Sequence, residues 1–206
     1  MSPLEAAKLI VKRDRAFRPL VKLAGHPPRQ RAVAVELRYA ALVRSITFQL
    51  LATNAASTIH QRIIALCDGQ ISVLRVLEIG PDELRSVGLS STKARAMVEL
   101  AECVQEGRVN LARHGRMSDA AVVANVSSVR GIGPWTAQMY LMFTLARPDV
   151  WPTGDYGVRN GWTIVHDLDE LVSESELRNV SEDFVGVRTA LSWYCWRAVD
   201  LAKAAR

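Results

Sequence analysis

The chain is poor in cysteine. Among 206 residues there are only Cys67, Cys103 and Cys195, far apart in sequence. No pair has the short spacing of a metal knuckle or an iron–sulfur cluster, so those centres are excluded. Three scattered thiols without a signal peptide suit a reducing compartment, and the expectation is a cytoplasmic protein. Long apolar runs are missing too. Met1 to Leu20 holds no continuous apolar stretch of signal-peptide length, and no segment approaches a bilayer span. Strand signals are nearly absent, as are internal repeats and low-complexity linkers.

What is present suits a buried core. Hydrophobic residues make up 49% and charged residues 23%, which argues against disorder. The length allows one large domain or two small lobes. Lys and Arg total 26 against 21 Asp and Glu, a net charge of +5. That mild excess fits an anionic partner without requiring one.

Apolar spacing is helical nearly throughout, so the expected fold class is all-α. Val33, Leu37, Ala41, Ile46 and Leu50 recur at helical steps and predict one helix from Arg31 to Leu51, with Leu50 on its apolar stripe. Pro81 predicts the start of a short helix that Gly88 ends. Ser90 caps another that stops at Gly107, and Ser118 opens the next. Pro134 suits a first helical turn. Ser173 and Glu176 form a capping box, and a last helix runs from about Val187. Ala146 to Gly154, with two prolines and a glycine, reads as a crossing between two lobes.

The most informative stretch is Val129 to Asn160. Arg130-Gly131-Ile132-Gly133 joins two helical segments as a candidate helix–hairpin–helix. Its glycines let the backbone turn sharply and approach a phosphate, and the amides opening the second helix carry the positive end of the dipole. Ile132 packs back between the helices and Thr136 supports the turn. A plain αα-hairpin satisfies the same residues. Further on, Asp155 follows a Pro-Thr-Gly turn at a helix start, where it suits an N-cap as well as a catalytic carboxylate. Leu50 likewise fits a core position as well as an exposed one.

Val129–Asn160 resembles the helix–hairpin–helix DNA glycosylases that carry a Gly/Pro-rich turn and a catalytic Asp, most closely the DNA-3-methyladenine glycosylase II branch. Three further segments are similar in order and spacing. Ser45–Ala56 resembles that branch's segment around its Gln-Leu wedge. Val87–Arg95 resembles its Gly-Leu…Lys-Ala turn, and Arg188–Trp196 its C-terminal Arg…Trp helix. The likeness covers roughly residues 35 to 200.

The resemblance implies two helical lobes with a DNA- and base-binding cleft between them. One is a helical barrel over about 41–149 ending in the hairpin. The other combines 1–40 with 150–206 and carries the acid. It also implies a compact form without the N-terminal β-domain of larger relatives. The implied activity is base excision: an alkylated purine is flipped out of duplex DNA and its N-glycosidic bond is hydrolysed. Asp155 is the implied catalyst. Trp135, Tyr156, Trp196, Met139 and Gln49 are the implied base pocket, with Met139 standing where a close relative has an aromatic. Trp193 is either another aromatic of the pocket or core. Leu50, flanked by Gln49 and Leu51, is the implied wedge. Gly131, Ile132, Gly133 and Thr136 are the implied backbone grip. No cofactor is required. The family's hairpin binds a sodium or potassium ion through main-chain carbonyls, here those of Ser127, Val129 and Ile132.

Lyase-type relatives place a Schiff-base Lys two residues after the hairpin's second Gly; here that position is Trp135, which implies a monofunctional enzyme. Nor can three scattered cysteines build the four-Cys cluster of many lyases. Two departures stand out: Gly186 replaces a common Pro, and Leu50 replaces the second Gln of many relatives. The partner expected is damaged double-stranded DNA, at the nucleoid in a prokaryote, with no membrane and a monomer as the default. A glycosylase of the same fold acting on hypoxanthine, oxidised purine or a mismatch remains the alternative, as does a non-catalytic DNA-binding protein.

Overall fold

The computed structural model describes residues 1–205, apart from the side chain of Thr53. Every regular element among them is helical, in line with the absence of strand signals. In chain order the α-helices are α1 (Pro3–Arg13), α2 (Arg18–Ala24), α3 (Arg38–Phe48), α4 (Thr53–Leu66), α5 (Val73–Ser86), α6 (Ser91–Gln105), α7 (Asp119–Ser127), α8 (Pro134–Phe143), α9 (Tyr156–Val165), α10 (Glu174–Asn179) and α11 (Arg188–Ala204). No helix among the described residues is long and apolar enough to cross a membrane.

Start signals work as their chemistry predicts. The hydroxyls of Ser90, Ser118 and Ser173 accept the amides of Lys93, Ala121 and Glu176. The Glu176 carboxylate accepts the Ser173 amide in return at 2.8 Å, completing the capping box. Each such cap stabilises its helix by about 1 kcal/mol. Gly80, at φ +74, breaks α5 so that Pro81 opens its second half. Two further capped starts, at Ser2 and Ser72, carry the same chemistry without having stood out in the sequence.

The segment 31–51 departs from prediction. It is not one helix: a 3-10 turn at Val35–Leu37 leads into α3, which ends at Phe48. Gln49 leaves the helical region, and Leu50 takes a left-handed φ of +51. Leu50 therefore lies off the apolar stripe, with its side chain fully exposed at 103%. Of the expected stripe only Ile46 is completely buried; Leu37 is exposed in the 3-10 turn and Val33 precedes it, so the buried face of α3 includes Leu42, Val43 and Ile46.

The chain forms two compact units, one of Met1–Arg31 with the chain from Arg147 onward, the other of Ala32–Ala146. In the second unit α3 packs on α4, α6 and α8, α5 on α6, and α7 on α8. Leu42, Val43, Ile46, Met97, Leu100, Val126, Ala137 and Tyr140 are all buried there. The first unit has its own core of Ala7, Ile10, Phe17, Val158, Trp162, Leu177, Phe184, Leu191 and Tyr194. In it α9 and α11 approach closely. A Cβ on Gly161 would lie 2.0 Å from the Cys195 carbonyl oxygen, so only glycine permits the crossing.

A buried polar group pins α7 to α8. His114 is completely buried; its Nε2 lies 2.8 Å from Asn125 Oδ1 and its Nδ1 3.1 Å from the Tyr140 hydroxyl. Asn125 Nδ2 donates to the Arg108 carbonyl at 2.8 Å, which orients the amide so that its oxygen accepts from His114. Nε2–H therefore donates to Asn125, and Nδ1 lies against the Tyr140 hydroxyl. Burial, with Arg38 adding to it, pushes the His114 pKa below its ordinary value; the Asn125 bond opposes this. Burial also lowers His60. Below the unfolded-state value of about 6.5 the unfolded chain takes up protons that these imidazoles refuse, so stability falls as the pH falls through that point. Urea midpoints measured from pH 7.5 down to 5.0 are expected to decline below about pH 6.5, and His114→Gln is expected to flatten part of the decline.

Candidate nucleic-acid interface and carboxylate site

The hairpin belongs to the Ala32–Ala146 unit. Gly131 adopts φ +86 and lies against α6, where a Cβ would stand 2.9 Å from Ala96 Cβ. Ile132 is buried, and its amide donates to the Val129 carbonyl at 3.1 Å. Gly133 is the N-cap of α8 and offers no side chain, so no side-chain cap occupies the opening amides of that helix. Pro134 follows at the first helical position. The Arg130 amide donates to Glu99 Oε1 at 3.1 Å, a second tie to α6. Trp135 is half-buried, while Thr136 and Met139 are buried on α8.

The exposed turn after α3 is joined to this hairpin. Gln49 Nε2 donates to the Thr136 hydroxyl at 2.7 Å and to the Gly131 carbonyl at 3.2 Å. The Lys93 ammonium donates to the carbonyls of Thr47 at 2.9 Å and Gln49 at 2.5 Å. Partial burial pushes that ammonium below its ordinary pKa. Leu50 and Leu51 protrude from the turn, both exposed. Sequence reasoning missed Lys93. Its signals were its place three residues after a helix-capping serine and its place in the Gly-Leu…Lys-Ala segment, and neither says where its long side chain goes.

No group of three or more His, Cys, Asp or Glu among the described residues could hold a metal ion. A main-chain carbonyl site is different in kind. Ser127 ends α7, where the dipole concentrates negative charge on the terminal carbonyls, and its hydroxyl is buried without a hydrogen-bond partner among the described residues. Such oxygens suit a hard monovalent cation.

The carboxylate belongs to the other unit. Asp155 is the N-cap of α9, and its Oδ1 accepts the Val158 amide at 2.8 Å. The same oxygen accepts Trp196 Nε1–H from α11 at 2.9 Å. Trp196 thus meets the acid with its indole edge. Gly157 makes room for it: a Cβ there would stand 2.8 Å from Trp196 Cδ1 and 3.1 Å from Asp155 Oδ1. Tyr156, first in α9, is exposed. Trp193 packs on the core and meets Tyr194 edge-on with centroids 5.0 Å apart. Asp155 is therefore both a cap and a half-buried, doubly bonded carboxylate; the two readings of it are compatible.

No protein-family model matches the chain. It is 29% identical over 192 residues to DNA-3-methyladenine glycosylase 1 of Schizosaccharomyces pombe, covering 92% of this chain and 84% of that one. A solved structure of 3-methyladenine DNA glycosylase from the same yeast, in complex with abasic DNA, superposes with a TM-score of 0.89 at 28% identity. That match covers 96% of this chain and 98% of the yeast chain. The DNA-3-methyladenine glycosidase of Bacillus halodurans superposes with a TM-score of 0.79 at 27% identity, over 98% and 92% of the two chains. The chain belongs to the helix–hairpin–helix DNA glycosylase superfamily.

One departure from the glycosylase pattern has a local cause. Gly186 sits at φ +86, and its amide donates to Asp149 Oδ1 at 2.7 Å. Proline supplies neither that φ nor a donor. Asp149 also bonds Arg188 Nη1 at 3.3 Å, and Arg188 Nε donates to the Ser181 carbonyl at 2.9 Å, which fixes the start of α11. Gly186→Pro is expected to destabilise this glycosylase by about 3 kcal/mol or more, read as a lower urea midpoint. An unchanged midpoint would show that the turn is not needed.

Proposed function

We propose that this protein is a monofunctional base-excision glycosylase of the DNA-3-methyladenine glycosylase II branch. In this reading it flips an alkylated purine out of duplex DNA and hydrolyses the C1′–N bond, leaving an abasic site. The observation that carries the reading is the fixed carboxylate of Asp155, held on one oxygen by the Val158 amide and the Trp196 indole.

The chemistry asks four things of the chain. A flipped base leaves a gap in the stack, and an apolar wedge offsets part of the lost stacking. Leu50 fits that role because it is fully exposed on a turn tied down by Gln49. The backbone must be gripped without reading sequence. Gly131, Ile132, Gly133 and Thr136 serve this through the uncapped start of α8. The main-chain carbonyls of Ser127, Val129 and Ile132 would hold a sodium or potassium ion, which adds positive charge facing a phosphate. The base must be held. An alkylated purine is cationic or electron-poor and is drawn to aromatic faces, for which Trp135, Tyr156 and Trp196 are the candidates, with Met139 shaping the pocket.

Finally the bond must break. Cleavage leaves the bonding pair on the departing base, which becomes neutral, while positive charge grows on the sugar. The Asp155 carboxylate stabilises that charge and orients the water whose oxygen bonds C1′ and whose proton is released. Trp135 supplies no amine where lyases use one, so no Schiff base forms and the strand stays intact. The reading places the enzyme with cellular DNA, as a monomer.

Base release from methylated duplex DNA tests this, with hypoxanthine and 8-oxoguanine duplexes in parallel. The wild type is expected to free 3-methyladenine, and Asp155→Asn to lose about a hundredfold or more in single-turnover rate with duplex affinity kept. Trp196→Phe, which keeps a ring but removes the donor, is expected to lose about tenfold. An Asp155→Asn protein of full activity contradicts the mechanism. Release of only the other lesions moves the substrate class, and tight salt-sensitive binding with no release at all favours a DNA-binding role alone.

A further inference from the structure

None of the groups assigned to wedging, gripping, base holding or bond cleavage comes from the segment Val87–Arg95. Lys93 lies in the first turn of α6, with its amide on the Ser90 hydroxyl at 3.3 Å. Its side chain leaves α6 for the end of α3, where Nζ meets the Thr47 and Gln49 carbonyls at 2.9 and 2.5 Å. Those carbonyls lie where intrahelical donors run out and the dipole places negative charge, so an ammonium there caps α3. On the far side, the Gln49 amide bonds Thr136 and Gly131 of the hairpin. Directly after these anchored residues stands Leu50 at φ +51. A left-handed non-glycine residue is strained and persists only when its surroundings hold it there.

We propose that Lys93 is a positioning residue for base flipping. By bridging the Thr47 and Gln49 carbonyls it holds Leu50 outward, and through Gln49 it keeps that turn in fixed register with the hairpin. The proposal rests on the reading of Leu50 as the wedge. It accounts for the Lys of the Gly-Leu…Lys-Ala segment, because the ammonium replaces the next helical turn that would otherwise carry Leu50 back onto the apolar stripe of α3.

The test uses a duplex containing a tetrahydrofuran abasic-site analogue with 2-aminopurine as its neighbour. Wedge insertion unstacks the 2-aminopurine and raises its fluorescence at saturating protein. The wild type is expected to give this rise and Leu50→Ala to lack it. Lys93→Met is expected to lower the insertion equilibrium about tenfold, the equivalent of one charge-assisted hydrogen bond, while Lys93→Arg, which can still donate to both carbonyls, retains most of it. In the Leu50→Ala background Lys93→Met is expected to add nothing, since both act through one side chain. Gln49→Ala cuts the same link from the hairpin side and is expected to lower insertion likewise, which serves as the test if Lys93→Met does not fold. Wild-type insertion in Lys93→Met, an undiminished Lys93 effect without Leu50, or no fluorescence rise in the wild type would each overturn the proposal. Base release is measured alongside. Insertion that depends on Lys93 without any release refutes the glycosylase reading and leaves Lys93 its role. Release with insertion indifferent to Lys93 refutes the positioning role alone.

Discussion

The backbone approach of α9 to α11 is the constraint on which the carboxylate site depends. Gly161 lets the Cys195 carbonyl sit where any Cβ would be, and Gly157, one turn earlier, leaves room for the Trp196 indole. With the helices this close, Trp196 Nε1 reaches Asp155 Oδ1 across the crossing. The same oxygen caps α9. Capping alone fixes the carboxylate along the helix axis, and the indole bond fixes its rotation. A carboxylate that is to stabilise charge developing on a sugar gains from being held before the reaction begins, because no reorganisation is then needed. The site also makes the neighbouring thiol inert: burial pushes the Cys195 pKa up, and the Asp155 charge adds to it.

The other unit obeys the same logic with different parts. Gly131 turns the hairpin against Ala96, Glu99 takes the Arg130 amide, and Gln49 binds both the hairpin carbonyl and Thr136. The hairpin and the exposed leucine are therefore one body built on α3, α6 and α8. The rigid parts are the helices; the groups that would face DNA sit on the turns between them.

Much of this was legible in the sequence because caps and breakers act locally. Ser90, Ser118, Ser173 and Pro134 mark helix starts through bonds and dihedrals that involve only their neighbours, and Gly131 marks a turn through its own φ. The segment 31–51 misleads for the opposite reason. Val33 to Ile46 carry a helical period in sequence, but α3 ends at Phe48, where the carbonyls of its last turn and C-cap meet an ammonium 44 residues away on another helix, which no local pattern encodes. Gly186 stood out as a departure, yet its reason, an amide aimed at Asp149, is 37 residues distant. Trp196 was legible as an aromatic of the site, whereas the edge it turns to Asp155 depends on the α9–α11 crossing. Asp155 itself looked like a cap and is one; its second donor is what sets it apart from an ordinary cap.

The central claim is that Asp155 works because the α9–α11 crossing holds it. Gly157→Ala tests this most directly, since the added methyl would press on Trp196 Cδ1 at 2.8 Å and on Asp155 Oδ1 at 3.1 Å without removing any functional group. The quantity to measure is the single-turnover rate of 3-methyladenine release from methylated duplex DNA, with duplex affinity determined on the same protein. The account predicts a rate at least about tenfold lower with affinity unchanged. A Gly157→Ala enzyme that releases base at the wild-type rate would contradict it.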